Sequence, residues 1–252
     1  MKRILYIFLL LFGLTLFSDA ATRGDIKVIE ASENIRFLSQ KIVKDYLFFY
    51  KHQDRMEIKR ELNKSLKKLT EDFRIIATTT KDGDTKDILE FLAYSKDQIE
   101  QIFNEKADKE RAALMLDYSE TLLEGADSIA NSHKYDFSAE EKMLMHTKKM
   151  EYLLERVMKF YIAVHVGFDT PTNQEQMKKA INGIEEGLVE VSLYSYPDDV
   201  AVVQNNLNQS WIANRLFFNK SDKLFIPKLM FASITYVEDM IDILALHHSK
   251  NQ

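Results

Sequence analysis

Helix-breaking residues are scarce in this chain. It holds seven glycines and three prolines among 252 residues, about 4% of the whole against roughly 12% in ordinary usage. A sheet protein needs turn residues about every 8–12 positions, and βαβ folds need them at each crossover. That supply is too small for an all-β or doubly wound fold, so an all-α chain of long helices is expected. Cysteine is absent, which removes disulfide scaffolds, thiolate zinc sites, cysteine nucleophiles and lipoprotein anchoring.

Periodicity divides the chain into eight helices. From Asp25 to about His52, apolar residues at Ile26, Ile29, Ile35, Leu38, Ile42, Val43, Tyr46 and Leu47 keep the three/four spacing of an amphipathic helix. A second helix spans about Asp54–Ala77. After the turn Lys81-Asp82-Gly83-Asp84 a third runs to about Asn104, and a fourth covers about Asp108–Asn131. Ser138 with Glu141 three residues on is a capping box that opens a fifth helix, to about Val166. Thr172 with Glu175 has the same form and opens a sixth, to about Tyr194. Pro197-Asp198-Asp199 suits the first turn of a seventh, which runs to about Phe218. The eighth is expected from about Asp222 to His247, with Pro227 marking either a later start or a kink.

Eight helices in two sets of four suggest an internal duplication. Leu38, Lys44 and Tyr46 reappear 115 positions on as Leu153, Lys159 and Tyr161. Asp108, Lys109, Ser119, Glu124 and Ile129 reappear at an offset of 114 as Asp222, Lys223, Ser233, Glu238 and Ile243. Short connections then imply two tandem up-down four-helix bundles, residues 21–134 and 135–252.

The N-terminus reads as an address. Lys2 and Arg3 precede the apolar run Ile4–Phe17, and Ser18-Asp19-Ala20 offers small residues for cleavage after Ala20. Residues 1–20 are therefore expected to be a signal peptide that sends the chain to the periplasm, the alternative being an uncleaved N-terminal membrane anchor. No second stretch nears the roughly 20 apolar residues that span a bilayer, so a soluble mature chain is expected. Without the first 20 residues the net charge is near −6, which argues against a nucleic-acid partner.

One segment carries a resemblance. Within Ile29–Ile42, the stretch Arg36-Phe37-Leu38-Ser39-Gln40-Lys41-Ile42 resembles the R-M-L-S-Q-R-M signature of the PilJ/NarX-type sensor domains, which serve as periplasmic inputs of pilus chemoreceptors and nitrate/nitrite sensor kinases. Ser32 and Glu33 stand where that family has an A-G pair. In the second repeat, Glu151-Tyr152-Leu153-Leu154-Glu155-Arg156-Val157 occupies the same place, with Leu153 and Arg156 fitting and Glu151 replacing the arginine. The resemblance implies a four-helix sensor fold in two copies and a small-anion site at Arg36, Ser39, Gln40 and Lys41. A planar oxyanion such as nitrate matches the guanidinium fork. Against this stands the reading of Arg36 as the partner of Glu33 in an ion pair on a solvated helix face. Glu151 disfavours a symmetric anion site inside one chain, leaving a homodimer that pairs Arg36 with its mate.

Other chemistry is sparse. None of the six histidines has Glu three residues before it, and no His-x-x-x-His pair exists, so neither a di-iron nor a zincin-like site is expected and no metal or cofactor is assigned. His247-His248 reads as a frayed, solvated end. The serines lack a G-x-S-x-G context, so no catalytic residue is assigned. Most carboxylates are expected on polar faces or in first turns. The run Tyr46–Tyr50 exceeds what one stripe can bury, so Phe48 or Tyr50 is expected to face outward as packing or partner surface, and Trp211 to be core. The expected function is a non-enzymatic sensor-like module that binds a small solute, or an adaptor for a membrane signalling protein. The alternative is a structural or interaction protein of the envelope. Gly125, Gly183 and Gly187 fall inside helices, where glycine costs about 1 kcal/mol relative to Ala, so they are expected to mark close helix contacts.

Overall fold

The structure, a computed structural model, describes the backbone of residues 2–133, 135–218 and 225–251, and side chains from residue 24 onward within those ranges. Every regular element in it is helical: α1 (Lys2–Lys51), α2 (Met56–Thr79), α3 (Gly83–Asn104), α4 (Lys109–Ser132), α5 (Ala139–His165), α6 (Pro171–Leu193), α7 (Asp198–Phe218) and α8 (Pro227–Lys250). The expected signal peptide, residues 1–20, lies outside the described side chains. Among the described residues no helix is long and apolar enough to cross a membrane.

Local chemistry accounts for most helix ends. Asp82 and Asp108 cap α3 and α4 by accepting from the backbone N–H of Thr85 and Arg111, each satisfying one of the orphan donors of a first turn. The Ser138–Glu141 capping box is formed in full. At α6 the cap lies two residues before the expected position. Thr170 accepts from the Asn173 N–H and Pro171 takes the first helical place, where its missing N–H costs nothing. Glu175 instead pairs with Lys179 along the helix. α8 starts at Pro227 for the same reason, so Pro227 is a start and not a kink. Asp222 and Lys223, two of the repeat matches, lie outside the described residues.

Within the first four helices, α1 packs against α2 and α4, while α3 rests on α4 and more lightly on α2. The second four follow the same scheme: α5 packs against α6 and α8, and α7 rests on α8 and lightly on α6. The first helices of the two sets also pack on each other, α1 against α5. Each therefore has three neighbours and no solvent face along its middle. All residues from Ile42 to Leu47 are buried, as are all from Tyr152 to Ala163. A helix apolar nearly all round is a buried helix.

This placement agrees with one expectation, packing of the aromatic run between helices, and corrects another. Phe48 and Tyr50 are both half-buried and pack on the core. Phe48 meets Phe231 of α8 edge to face at 4.9 Å, so the aromatic run is absorbed by a neighbour from the other set. His248 is fully buried, its Nδ1 2.6 Å from Glu140 Oε2 and its Nε2 2.8 Å from the Tyr196 hydroxyl. The C-terminal turn is thus docked on α5 rather than frayed. Trp211 is core as expected.

The three helix-interior glycines lie at close contacts. A Cβ on Gly125 would stand 2.4 Å from Leu92 Cδ2, and on Gly187 2.6 Å from Met150 Cγ, while at Gly183 the nearest atom, Leu153 Cδ1, lies at 3.0 Å. Around Gly83 nothing lies within 4 Å. Gly125→Ala is therefore expected to lower the unfolding free energy by about 1–3 kcal/mol through overpacking against buried Leu92. Gly83→Ala is expected to be neutral or mildly stabilising. Urea denaturation of the two variants checks both.

Candidate functional site

The α1–α5 contact carries an unusual amount of charge. The two helices meet in parallel register, each α1 position against one about 115 residues further on. Arg36 Nη2 donates to the Tyr152 hydroxyl at 3.0 Å, Arg156 Nη1 to Gln40 Oε1 at 3.1 Å, and Lys41 Nζ to Glu155 Oε1 at 3.2 Å. Neighbouring positions 40 and 41 of α1 and 155 and 156 of α5 pair crosswise, Gln40 with Arg156 and Lys41 with Glu155, so the seam has a local pseudo-twofold relation. Parallel packing of the first helix of each set puts these polar positions where a symmetric pair would meet itself.

At the middle of the seam is Glu155, with no solvent exposure. Besides Lys41 it pairs with Lys44 Nζ at 2.6 Å. These two cations hold its carboxyl below the usual range although burial alone would raise it. Lys44 is buried and raised, its desolvation outweighed by Glu155 and Asp45. Glu238 of α8 completes the cluster. Burial and the charge of Glu155 push it up to about 8, since two adjacent carboxylates resist ionising together.

One turn away a second cluster fills the boundary with α4. Arg156 makes a two-pronged pair with Glu120, at 2.8 and 2.6 Å, and also donates to Gln176 at 2.8 Å. Lys159, fully buried, contacts Glu120 and donates to the Ser119 hydroxyl at 3.0 Å. Burial pushes Lys159 down to about 7, with Glu120 opposing the shift and Arg156 adding to it. The repeat-related lysines Lys44 and Lys159 thus each take a carboxylate from the other set of helices.

The anion-site candidates are all in this seam, but they are occupied. Arg36 Nη1 binds Glu33 Oε1 at 2.5 Å, and its Nε lies 2.7 Å from Asp127 Oδ1, close as an ion pair though not aligned as a hydrogen bond. Its guanidinium also lies over the Tyr152 ring, 4.4 Å from the centroid. The Glu33–Arg36 pair is therefore present, yet on a buried face rather than a solvated one, because α4 and α5 cover it. Ser39 is buried and donates to the Arg36 carbonyl at 2.7 Å, and Gln40 Nε2 donates to Ser39 Oγ at 2.9 Å. Lys41 keeps partial exposure while pairing with Glu155. An oxyanion at these four residues would have to displace a carboxylate from each cation.

At the position of Arg36 in the second repeat, Glu151 is pushed up to about 7 by burial and by Asp242 and Glu33, with Lys148 opposing. Reading the carboxylates as surface residues missed Glu151, Glu155 and Glu238. The signal for Glu155 was its place in the unbroken stretch Tyr152–Ala163, too apolar all round to leave any polar face in water. Among the described residues no three His, Asp or Glu side chains converge as metal ligands.

Two outcomes are expected. Glu155→Ala leaves Lys44 buried without its main partner, and should cost about 3–5 kcal/mol by urea denaturation, whereas Glu175→Ala on the solvated face of α6 should barely change stability. Glu238 has a folded value of about 8 against 4.5 for an ordinary glutamate. Its stabilising contribution is complete below the lower value and lost as pH rises through the upper one. Lys159 acts in the opposite sense, so the informative quantity is the difference between variant and wild type. Glu238→Gln should raise the melting temperature more at about pH 9 than at about pH 5. Comparison with family models, characterised proteins and solved structures returned no match to this chain.

Proposed function

We propose that the chain is a non-enzymatic, sensor-like module of the cell envelope, built as two PilJ/NarX-like four-helix bundles joined along α1 and α5. In this reading residues 1–20 are a signal peptide that directs export to the periplasm, with an uncleaved N-terminal anchor as the alternative, and residues 21–134 and 135–252 are the two bundles. The observation that carries it is the parallel, in-register pairing of α1 with α5. Gln40 with Arg156 and Glu155 with Lys41 are the same contact made twice, as expected for duplicated units packed in the manner of a dimer. The module binds a small solute or serves as adaptor for a membrane signalling protein. Nucleic acid is not among its partners.

The oxyanion version is the less favoured of the solute readings. Arg36 already meets Glu33, Asp127 and Tyr152, and pairing it with the Arg36 of a second copy would require α5 to move away. The envelope-interaction reading draws support from the exposed apolar residues Ile212 and Leu216, one turn apart on α7, and Leu229, Tyr236 and Leu246 on α8, since exposed apolar surface is available to a partner.

Titration calorimetry with nitrate, nitrite and a broad small-molecule panel tests the solute reading. No binding to any of them, together with no effect of Arg36→Ala on any response, would remove it. The adaptor reading predicts a stoichiometric protein partner in pull-downs from envelope extracts. If neither a solute nor a partner is found, the sensor reading as a whole fails.

A further inference from the structure

Beyond the α1–α5 seam, one pocket joins the two sets of helices with a composition of its own. It has a volume of about 440 Å³ and lies among the end of α1, the start of α2 and the start of α8, within the usual range of about 300–1,000 Å³ for small-molecule sites. Its apolar lining comes from Phe48, Ile58 and Phe231, with the two phenylalanine rings fixed edge to face. Its charged lining is Asp45 of α1, Arg55 and Glu57 at the start of α2, and Lys228 at the start of α8.

The charged groups of this pocket differ in solvation. Asp45 is buried, at 8% exposure, while Arg55, Glu57 and Lys228 keep contact with solvent. The nearest cation to Asp45 is Lys44 at 3.5 Å, but Lys44 lies closer to Glu155, at 2.6 Å. Asp45 is thus a poorly compensated carboxylate against an apolar wall, and burial raises it above the ordinary value despite Lys44 and Lys41. Such a group favours a cationic hydrogen-bond donor. Among the solvated groups, Arg55 shares its charge with Glu57 at 3.1 Å, which leaves Lys228 as the cation open to an anionic group. Carboxylate, apolar wall and ammonium complement a molecule that carries an ammonium, an apolar body and a carboxylate.

We propose that this pocket binds a free apolar amino acid, its ammonium on Asp45, its side chain among Phe48, Ile58 and Phe231, and its carboxylate toward Lys228. The inference rests on the solute-binding reading above, but on none of the residues of the Arg36 site. Because α1 and α2 supply one wall and α8 the other, the ligand would bridge the two sets of helices.

The test is titration calorimetry on the full chain with L-phenylalanine, phenethylamine, which lacks the carboxylate, and 3-phenylpropanoate, which lacks the ammonium. Phenylalanine should bind, and each analogue should bind at least about tenfold more weakly. Asp45→Asn should weaken phenylalanine by a similar factor and leave 3-phenylpropanoate unchanged. Lys228→Ala, an exposed position that does not threaten folding, should weaken phenylalanine and spare phenethylamine, so the series stays decisive even if Asp45→Asn fails to fold. Absence of phenylalanine binding at about 1 mM, a level that would detect even a weak site, overturns the proposal. So does 3-phenylpropanoate binding as tightly as phenylalanine. Should another solute of the panel bind while phenylalanine does not, this proposal fails and the solute reading stands.

Discussion

Glu155 has no water to turn to, and its charge is met by Lys41 and Lys44 from α1, more than a hundred residues away in the chain. Taking ions out of water costs several kcal/mol each, and mutual attraction recovers that only when the geometry is close to ideal. The seam is therefore a weak source of net stability and a strong constraint on position. If α1 slid by one turn along α5, Glu155 would lose both lysines, Gln40 would lose Arg156, and Arg36 would lose Tyr152. The apolar residues around them tolerate such a slip far better. Hydrophobic burial gathers the eight helices, and the charged contacts select the register in which α1 and α5 meet.

The rest of the fold follows from that register. Once α1 and α5 are buried on all sides, their partners must approach closely, and Gly187 lets α6 do so against Met150 of α5, while Gly125 lets α4 take α3 closely against Leu92. The outer helices α3 and α7 touch no first helix closely and are held through α4 and α8. The docked C-terminus belongs to the same logic, with His248 inserted between Glu140 and Tyr196 so that α8 is fastened to the beginning of α5 and to the entry of α7.

How much of this was legible in the chain depends on the kind of signal. Helix class and the number of helices were plain, because three/four periodicity with so few breakers favours that outcome, and the cap at Ser138 stands where local hydrogen bonding puts it, while that of α6 falls at Thr170 and not at Thr172. The glycine contacts were legible for the same local reason. Burial of charge was not. Glu155, Glu151 and Glu238 look like polar-face residues because periodicity presumes that each helix has a solvent side, and for α1 and α5 that presumption fails. His248 was misread by the same logic, as a terminal residue, when the ring of Tyr196 and the Glu140 carboxylate give it partners from distant sequence. At Arg36 the local spacing showed Glu33 as a partner, but not that Asp127 and Tyr152, both far off in sequence, would close over it.

A seam between two helices of one chain can contain what a seam between identical chains cannot. In a symmetric dimer every position near the axis has its own copy as counterpart, so an arginine corresponds to an arginine and a lysine to a lysine. Here the counterpart of Arg36 is Glu151, that of Gln40 is Glu155, and that of Lys41 is Arg156. The added carboxylate at position 155 is the one that neutralises Lys41 and Lys44, an arrangement that identical copies could reach only by placing two glutamates near the axis together. Asymmetry also links the seam to the pocket beside it. Lys44 divides its charge between Glu155 and Asp45, so any ammonium that satisfies Asp45 lets Lys44 commit more fully to Glu155, and by reciprocity a tighter Lys44–Glu155 pair favours that ammonium. A solute bound at the edge of the two sets of helices would then be felt at their centre through one lysine, with no need for a second moving part.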